Sequence, residues 1–255
     1  MDERHEPLTA EAVGARLHTA VFGRSLTVLP QTGSTNDEAK RLALAGAPEG
    51  TAVVAVAQTA GRGRRGRAFF SPSGGVYLSV ILRPAGVGAE YITSCAAVAA
   101  ARAIERFSAC PVGIKWVNDL WMNGKKAGGI LAEGHLPDFV VLGWGINVAR
   151  PSFDPTLTPI VTSLEAEGCR VSRAALIAAL LEEWETAYAT AASGDFLSES
   201  RRRSVVLGRR VTVSRGDERF CATAEEITDE GHLLVRDEAG ETVLLRSGEV
   251  SLRVK

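Results

Sequence analysis

The sequence predicts an α+β fold: a mixed sheet with helices packed on one side, followed by a small C-terminal β-barrel. Three observations carry this. Short apolar runs of strand type recur through the first part of the chain with hairpin-length links. The alanine-rich helical stretches stand apart from those runs and do not alternate with them one for one. Beyond Arg201-Arg202-Arg203 the texture shifts to short strands spaced by turn signals. A chain of 255 residues suits one large unit and one small one. The boundary is expected near residue 204, giving units 1–203 and 204–255.

Taken in order, residues 8–17 read as weakly helical, and Ser25–Leu29 as a strand ended by Pro30. Ser34 with Asp37 and Thr35 with Glu38 form overlapping capping boxes before Ala39, Leu42 and Ala43, predicting a helix over 34–45 closed by Gly46 and Pro48. Thr51–Ala57 and Val76–Leu82 are strand runs, and 89–107 is an alanine-rich helix. Val112–Trp116, Gly129–Glu133 and Phe139–Val148 read as further strands. Ser172 caps a helix to Ala192 whose Ile177, Leu181, Trp184 and Tyr188 share a core-facing side. Four short strands follow, Val211–Val213, Phe220–Ala224, Leu233–Val235 and Val243–Leu245, separated by turns at Arg215-Gly216-Asp217, Asp229-Glu230-Gly231 and Glu238-Ala239-Gly240.

With 29 basic against 30 acidic residues, the chain lacks the strongly basic footprint of a nucleic-acid-binding domain. Cys95, Cys110, Cys169 and Cys221 form no C-x-x-C pair, so they read as free thiols and not as a zinc or redox site. The first residues are charged and lack the apolar core of a signal peptide, and no apolar run is long enough to span a bilayer. The expectation is a soluble cytoplasmic protein without membrane or DNA partners.

The most unusual stretch is Gln58-Thr59-Ala60-Gly61-Arg62-Gly63-Arg64-Arg65-Gly66-Arg67. It offers guanidinium forks and close-approaching backbone N–H groups to an anion; the alternative is a solvated basic loop. A loop that orders around its ligand reconciles the two. Gly61, Gly63 and Gly66 also satisfy G-x-G-x-x-G, but the residues after them are poor openers of a helix, which disfavours a dinucleotide site. Phe69-Phe70 can cover a ligand or simply pack in a strand. A second segment, Gly113 to Leu120 followed by Gly124 to Glu133, reads as two strands flanking a turn that displays lysines, Lys126 among them. In Gly143-Trp144-Gly145-Ile146-Asn147 the glycines permit close approach, and Asn147 is a ligand contact or a turn residue.

Ser34-Thr35-Asn36, the glycine–arginine loop, Lys115-Trp116-Val117-Asn118-Asp119-Leu120, Lys126-Ala127-Gly128-Gly129-Ile130-Leu131 and Gly143-Trp144-Gly145-Ile146-Asn147 occur in one order and spacing. Together they resemble the biotin protein ligases, over about residues 25–165 and in outline over the C-terminal part. The resemblance implies a class II synthetase-like catalytic fold with an SH3-like C-terminal barrel. It further implies two reactions in one site: biotin and MgATP give biotinyl-5′-AMP and pyrophosphate, and the adenylate then acylates a lysine of a biotin carboxyl carrier domain. By position, Ser34, Thr35, Asn36 and Gln58 match the set that binds the ureido end of biotin. Arg62, Gly63 and Arg64 match the loop over the carboxylate and phosphate, and Lys126 the lysine at the reacting carboxylate and α-phosphate. Lys126, Arg62 and Arg64 are thereby the candidate catalytic residues. Arg64, Arg65, Arg67, Phe69, Asn118, Asp119 and Asn147 fall on the nucleotide side, with Asp119 the candidate for magnesium. Two departures stand out: Val117 where proline is common, and Phe69 where tryptophan is common.

The chemistry suits these residue types, because carboxylate attack on phosphorus joins two anions and gains from fixed cations. A glycine-rich loop that closes over an adenylate also excludes water. Bifunctional relatives carry an N-terminal DNA-reading domain; only 33 residues precede Ser34, so a ligase without repressor function is expected. Competing readings are a lipoate protein ligase, a nucleic-acid-binding module and, more weakly, a nicotinamide oxidoreductase. A homodimer is left open.

Overall fold

The computed structural model describes residues 6–84, 89–135, 137–149, 157–215, 218–246 and 249–252. The first part forms a seven-stranded sheet in the order β1-β2-β3-β7-β6-β5-β4. Its strands are β1 (Leu26–Thr32), β2 (Ala52–Gln58), β3 (Val76–Leu82), β4 (Gly113–Lys115), β5 (Asp119–Met122), β6 (Lys125–His135) and β7 (Phe139–Ile146). Only β1 and β2 run parallel; every other neighbour pair is antiparallel, so the sheet is mixed. A short helix α1 (Ala10–Gly14) precedes the sheet, and the single parallel pair exists because α2 (Thr35–Leu44) crosses between β1 and β2.

Side-chain alternation divides the sheet's two faces. Leu78, Val80, Leu142, Trp144 and Ile146 face a large core shared with α3 (Ala89–Glu105) and α4 (Arg173–Ala189). Val53, Ile81, Phe139 and Val141 face a smaller cluster built on Ala39 and Ala43 of α2. Helices therefore cover both faces, not one side as the sequence suggested. On the second face α2 buries Ala39 and Ala43, with Leu42 packed beside them, and covers only part of the sheet. The part of the sheet it leaves open becomes the functional pocket.

Several elements differ in detail from the sequence reading. Pro30 does not end β1; it lies inside it, with the pairing made at Leu29–Ala55 and Gln31–Ala57 on either side. An edge strand tolerates proline because one side of it needs no N–H donor. Ser34 is the N-cap of α2, yet its side chain makes no capping bond, so the expected capping box is not formed. Asp119–Met122, read as part of a turn, is strand β5, with Leu120 and Met122 buried. Ser172 does cap α4, accepting from the Ala175 N–H at 3.2 Å. That helix is buried on more than one side, because Glu185 accepts the N–H groups of Ala20, Val21 and Phe22 and draws the N-terminal segment across it. Around it Trp184 stacks on Tyr188 at 4.9 Å and meets Trp144 edge-on at 5.6 Å.

α5 (Phe196–Arg203), not foreseen from sequence, leads into the C-terminal part. There β8 (Arg210–Arg215), β9 (Glu218–Ile227), β10 (Leu233–Asp237), β11 (Thr242–Leu245) and β12 (Glu249–Leu252) form an antiparallel sheet in the order β11-β10-β9-β8-β12. Among the described residues the ladder is open between its outer strands, where the sequence suggested a barrel. Gly216-Asp217, the centre of one expected turn, lies outside the described residues. At the junction, Ser204 bridges to Ile114 and Val205 N–H donates to the Ile114 carbonyl at 3.0 Å, so the connecting segment covers the β4 edge.

Candidate active site

The pocket floor is β7 seen from its α2 side, where Gly143 and Gly145 replace side chains. A methyl group on Gly143 would collide with Asn36 Oδ1, and one on Gly145 would sit 2.6 Å from the Phe69 ring. These two glycines let the first turn of α2 and Phe69 lie directly on the sheet.

At one end, the N-terminus of α2 supplies Ser34, Thr35 and Asn36, all buried. The Thr35 N–H donates to Gln58 Oε1 at 2.7 Å, with the Thr35 hydroxyl 3.1 Å from the same oxygen. Gln58 Nε2 donates to Ser71 Oγ at 3.0 Å. Ser79 of β3 donates to Asn36 Oδ1 at 2.6 Å, and Asn36 Nδ2 donates to Glu133 Oε2 at 2.6 Å. Both ends of the Asn36 amide are thus held, which fixes its orientation. The result is a neutral, pre-oriented set of donors and acceptors suited to a polar uncharged group.

The glycine–arginine loop forms the roof. It closes on itself through Gly63 N–H to Arg67 O at 2.7 Å and Phe69 N–H to Gly61 O at 2.8 Å. Arg62 makes a two-point bond to Asp37 at 2.6 and 2.5 Å. That bond holds the Asp37 carboxyl below the usual range and raises the Arg62 pKa. Arg64 Nη1 donates to Asn118 Oδ1 at 3.4 Å. Arg65, with φ at 56°, reaches the Ser214 carbonyl of β8 at 3.3 Å. Arg67, Gly63 and Phe69 line the same pocket.

The other end is cationic. Lys126 of β6 bonds Asp119 Oδ1 at 2.6 Å, and Lys115 of β4 stands 3.8 Å from Asp119 Oδ2. Two ammonium groups share one carboxylate, leaving a net positive centre below Arg64. Lys126 is held in place by its backbone, which exchanges hydrogen bonds with Ile160 and Thr162. Among the described residues no cluster of three metal-ligating side chains occurs. Among the described residues that line the pocket Asp119 is the only carboxylate, and the lysines engage it.

The structure therefore gathers thirteen of the fourteen sequence-selected residues around one pocket: Ser34, Thr35, Asn36, Gln58, Arg62, Gly63, Arg64, Arg65, Arg67, Phe69, Asn118, Asp119 and Lys126. Asn147, also selected, is placed elsewhere. It is buried, donates to the Thr162 carbonyl at 3.0 Å and so braces the segment that carries Lys126's backbone partners. Sequence reading missed Ser79, Glu133 and the pocket-lining Val250 as site residues, and it placed Lys115 in a motif without giving it a role. Ser79 had a signal, since it is the one small polar residue in an otherwise apolar and aromatic buried strand. Val250 had none, since it arrives from the other sheet.

The comparisons with known proteins agree with this geometry. The family model "Biotin/lipoate A/B protein ligase family" matches residues 28–147, and "Biotin protein ligase C terminal domain" matches 206–253. The chain belongs to the biotin/lipoate protein ligase family. Within it, the similarity is to biotin ligases. The chain is 34% identical to the biotin–[acetyl-CoA-carboxylase] ligase of Mycobacterium tuberculosis, with 98% of this chain and 97% of that protein covered. It is 38% identical to the bifunctional ligase/repressor BirA of Bacillus subtilis, over 88% of this chain and 73% of that one. The biotin protein ligase of Aquifex aeolicus, solved in complex with biotin and ATP, superposes with a TM-score of 0.79 at 27% identity, covering 91% of this chain and all of that one.

Proposed function

We propose that this chain is a biotin protein ligase, joining biotin to ATP as biotinyl-5′-AMP and then transferring the biotinyl group to a lysine of a biotin carboxyl carrier domain. The observation that carries this reading is the polarity of the pocket. A neutral, hydrogen-bonding end at Thr35, Asn36 and Gln58 and a cationic end at Lys115 and Lys126 lie on one glycine floor. Biotin has the same two ends, a neutral ureido ring and a carboxylate.

In the first step the carboxylate attacks the α-phosphorus, an acyl–O–P bond forms and pyrophosphate leaves. Lys126 and Arg64 face the charge that accumulates there, and fixed cations in a pocket shielded from water stabilise it without proton transfer. In the second step a lysine amine attacks the acyl carbon, AMP leaves with the bonding pair, and the amine's proton passes to solvent or to the departing phosphate. Arg62, clamped on Asp37, fixes the start of the loop that roofs the intermediate. A resident metal is not called for by these residues. Magnesium arrives with ATP, held mainly by the phosphates as is usual for nucleotide sites.

Two finer assignments go with this reading. Residues 1–203 are the catalytic unit and 204–255 the small C-terminal unit. The reaction takes place in the cytoplasm, in keeping with four free cysteines and with no described helix long and apolar enough to cross a membrane. The deciding experiment is mass spectrometry of a carboxylase carrier domain incubated with the protein, MgATP and either biotin or lipoate. A biotinyl increment on one lysine is expected; a lipoyl increment alone would overturn the assignment.

A further inference from the structure

Beyond the pocket, on the same face of the sheet, lies a groove of about 510 Å³ between the β4–β5 edge and the segment that follows α5. Gly113 and Trp121, paired in register, form its floor, and Arg202 and Arg209 stand on its wall. Gly113 and Lys115 are alternate residues of β4, so they lie about 7 Å apart on that face. Lys115 Nζ sits 5.4 Å above the centre of the Trp121 ring. One indole therefore separates this groove from the cationic end of the pocket.

The charges along the groove are unequal in their commitments. Glu199 is satisfied within the fold by Arg102 at 2.5 Å and Arg203 at 2.7 Å, and Arg203 is also taken by Glu105 at 2.6 Å. Arg202 and Arg209 are exposed and make no ion pair among the described residues. Trp121 Nε1 is buried with no acceptor. The groove thus offers spare positive charge, while its one carboxylate is already neutralised.

We infer that this groove docks an acidic stretch of the acceptor protein while the target lysine reaches past Trp121 to the acyl-adenylate. The inference rests on the acyl-transfer reading above. Its occupant is a protein segment and not a small anion for a geometric reason. Both arginines are exposed, a setting in which charges steer and register a large partner but hold a small ion weakly. Continuity with the pocket means that whatever occupies the groove lies beside the reacting group.

The test uses the full-length protein with Arg202→Glu and Arg209→Glu combined, and the two alanine variants as controls for folding by circular dichroism. Biotin-dependent pyrophosphate release and capture of the adenylate by hydroxylamine are expected to be unchanged. The KM for the carrier domain of an acetyl-CoA carboxylase is expected to rise about tenfold, the effect of a modest loss of charge complementarity. The salt dependence of kcat/KM for that acceptor should flatten as well. An unchanged acceptor KM would overturn the inference, as would an equal fall in hydroxylamine capture. Inorganic phosphate competing with the carrier for the wild-type groove at low millimolar concentration would reassign it to a small anion. A wild-type protein that forms the adenylate but never labels the carrier would refute the transfer reading itself, and this inference with it.

Discussion

Lys126 combines exposure to the pocket with a firm anchor, its ammonium 2.6 Å from Asp119 and its backbone tied to Ile160 and Thr162. Lys126→Ala is expected to leave the fold intact, because the strand pairing is backbone-made, and to slow adenylate formation by roughly two orders of magnitude, the scale of one lost transition-state donor. Pyrophosphate release measured beside a circular dichroism spectrum checks both halves. Arg64 donates to a neutral acceptor at Asn118 in the cationic end, and Arg64→Gly is expected to weaken retention of the intermediate, seen as faster adenylate release in a single turnover. Gly143→Ala places a methyl against Asn36 Oδ1, so it should displace the Asn36 amide from Ser79 and Glu133. The cost is about 1–3 kcal/mol, typical of overpacking, with weakened biotin binding measurable by calorimetry.

At the scale of elements, α3 and α5 are clasped by an alternating chain of charges, Arg102, Glu199, Arg203 and Glu105. Burial pushes the two glutamates up, and the hydrogen bonds from Arg102 and Arg203 more than reverse it, so both are held below the ordinary carboxylate range. A carboxylate depressed in the folded state contributes stability above its unfolded pKa and loses it as pH falls through the folded value. The clasp should therefore hold at neutral pH and fail in acid, below the usual glutamate range. Arg203→Met leaves two half-buried carboxylates facing each other. A loss of about 2 kcal/mol is expected, less than for a fully buried pair, together with an acid-unfolding midpoint displaced to higher pH.

For the molecule as a whole, the two sheets share one core. Val206, Val211, Val235 and Leu245 of the C-terminal part belong to the same buried cluster as Leu78 and Trp144. Trp116 Nε1 donates to the Gly231 carbonyl at 3.0 Å, Tyr91 bonds the Asp229 carbonyl, and Val250 lines the pocket. Thermal unfolding is accordingly expected as a single transition, coincident by tryptophan fluorescence and far-ultraviolet circular dichroism. Two separated transitions would show that the sheets are independent. A chain ended at residue 203 should lose pyrophosphate release as well as stability, since the C-terminal sheet supports Arg65 at Ser214.

Local chemistry made much of this legible in advance. Strand-type runs such as Val76–Leu82 coincide with β3 residue for residue, and Ser172 caps its helix as its residue type requires. Both depend on neighbours in the chain. The pocket-lining residues were legible for a related reason, since glycines and arginines crowded into one short loop stand out from ordinary strand and helix composition. Where the sequence reading failed, the deciding partner was distant. Pro30 stays in β1 because that strand is the sheet's edge, and Asp119–Met122 pairs as a strand because Gly128 and Gly129 lie beside it. The Ser34 side chain makes no capping bond in a helix whose first turn is turned into the pocket. By itself the sequence determined most of the helices and strands, α5 and β5 excepted, and which side chains are chemically unusual. Only the tertiary structure decided that Asn147 serves as a brace, that Ser79 and Glu133 orient Asn36, and that Val250 completes the pocket. Such roles depend on contacts between residues far apart in the chain, and sequence spacing carries no record of them.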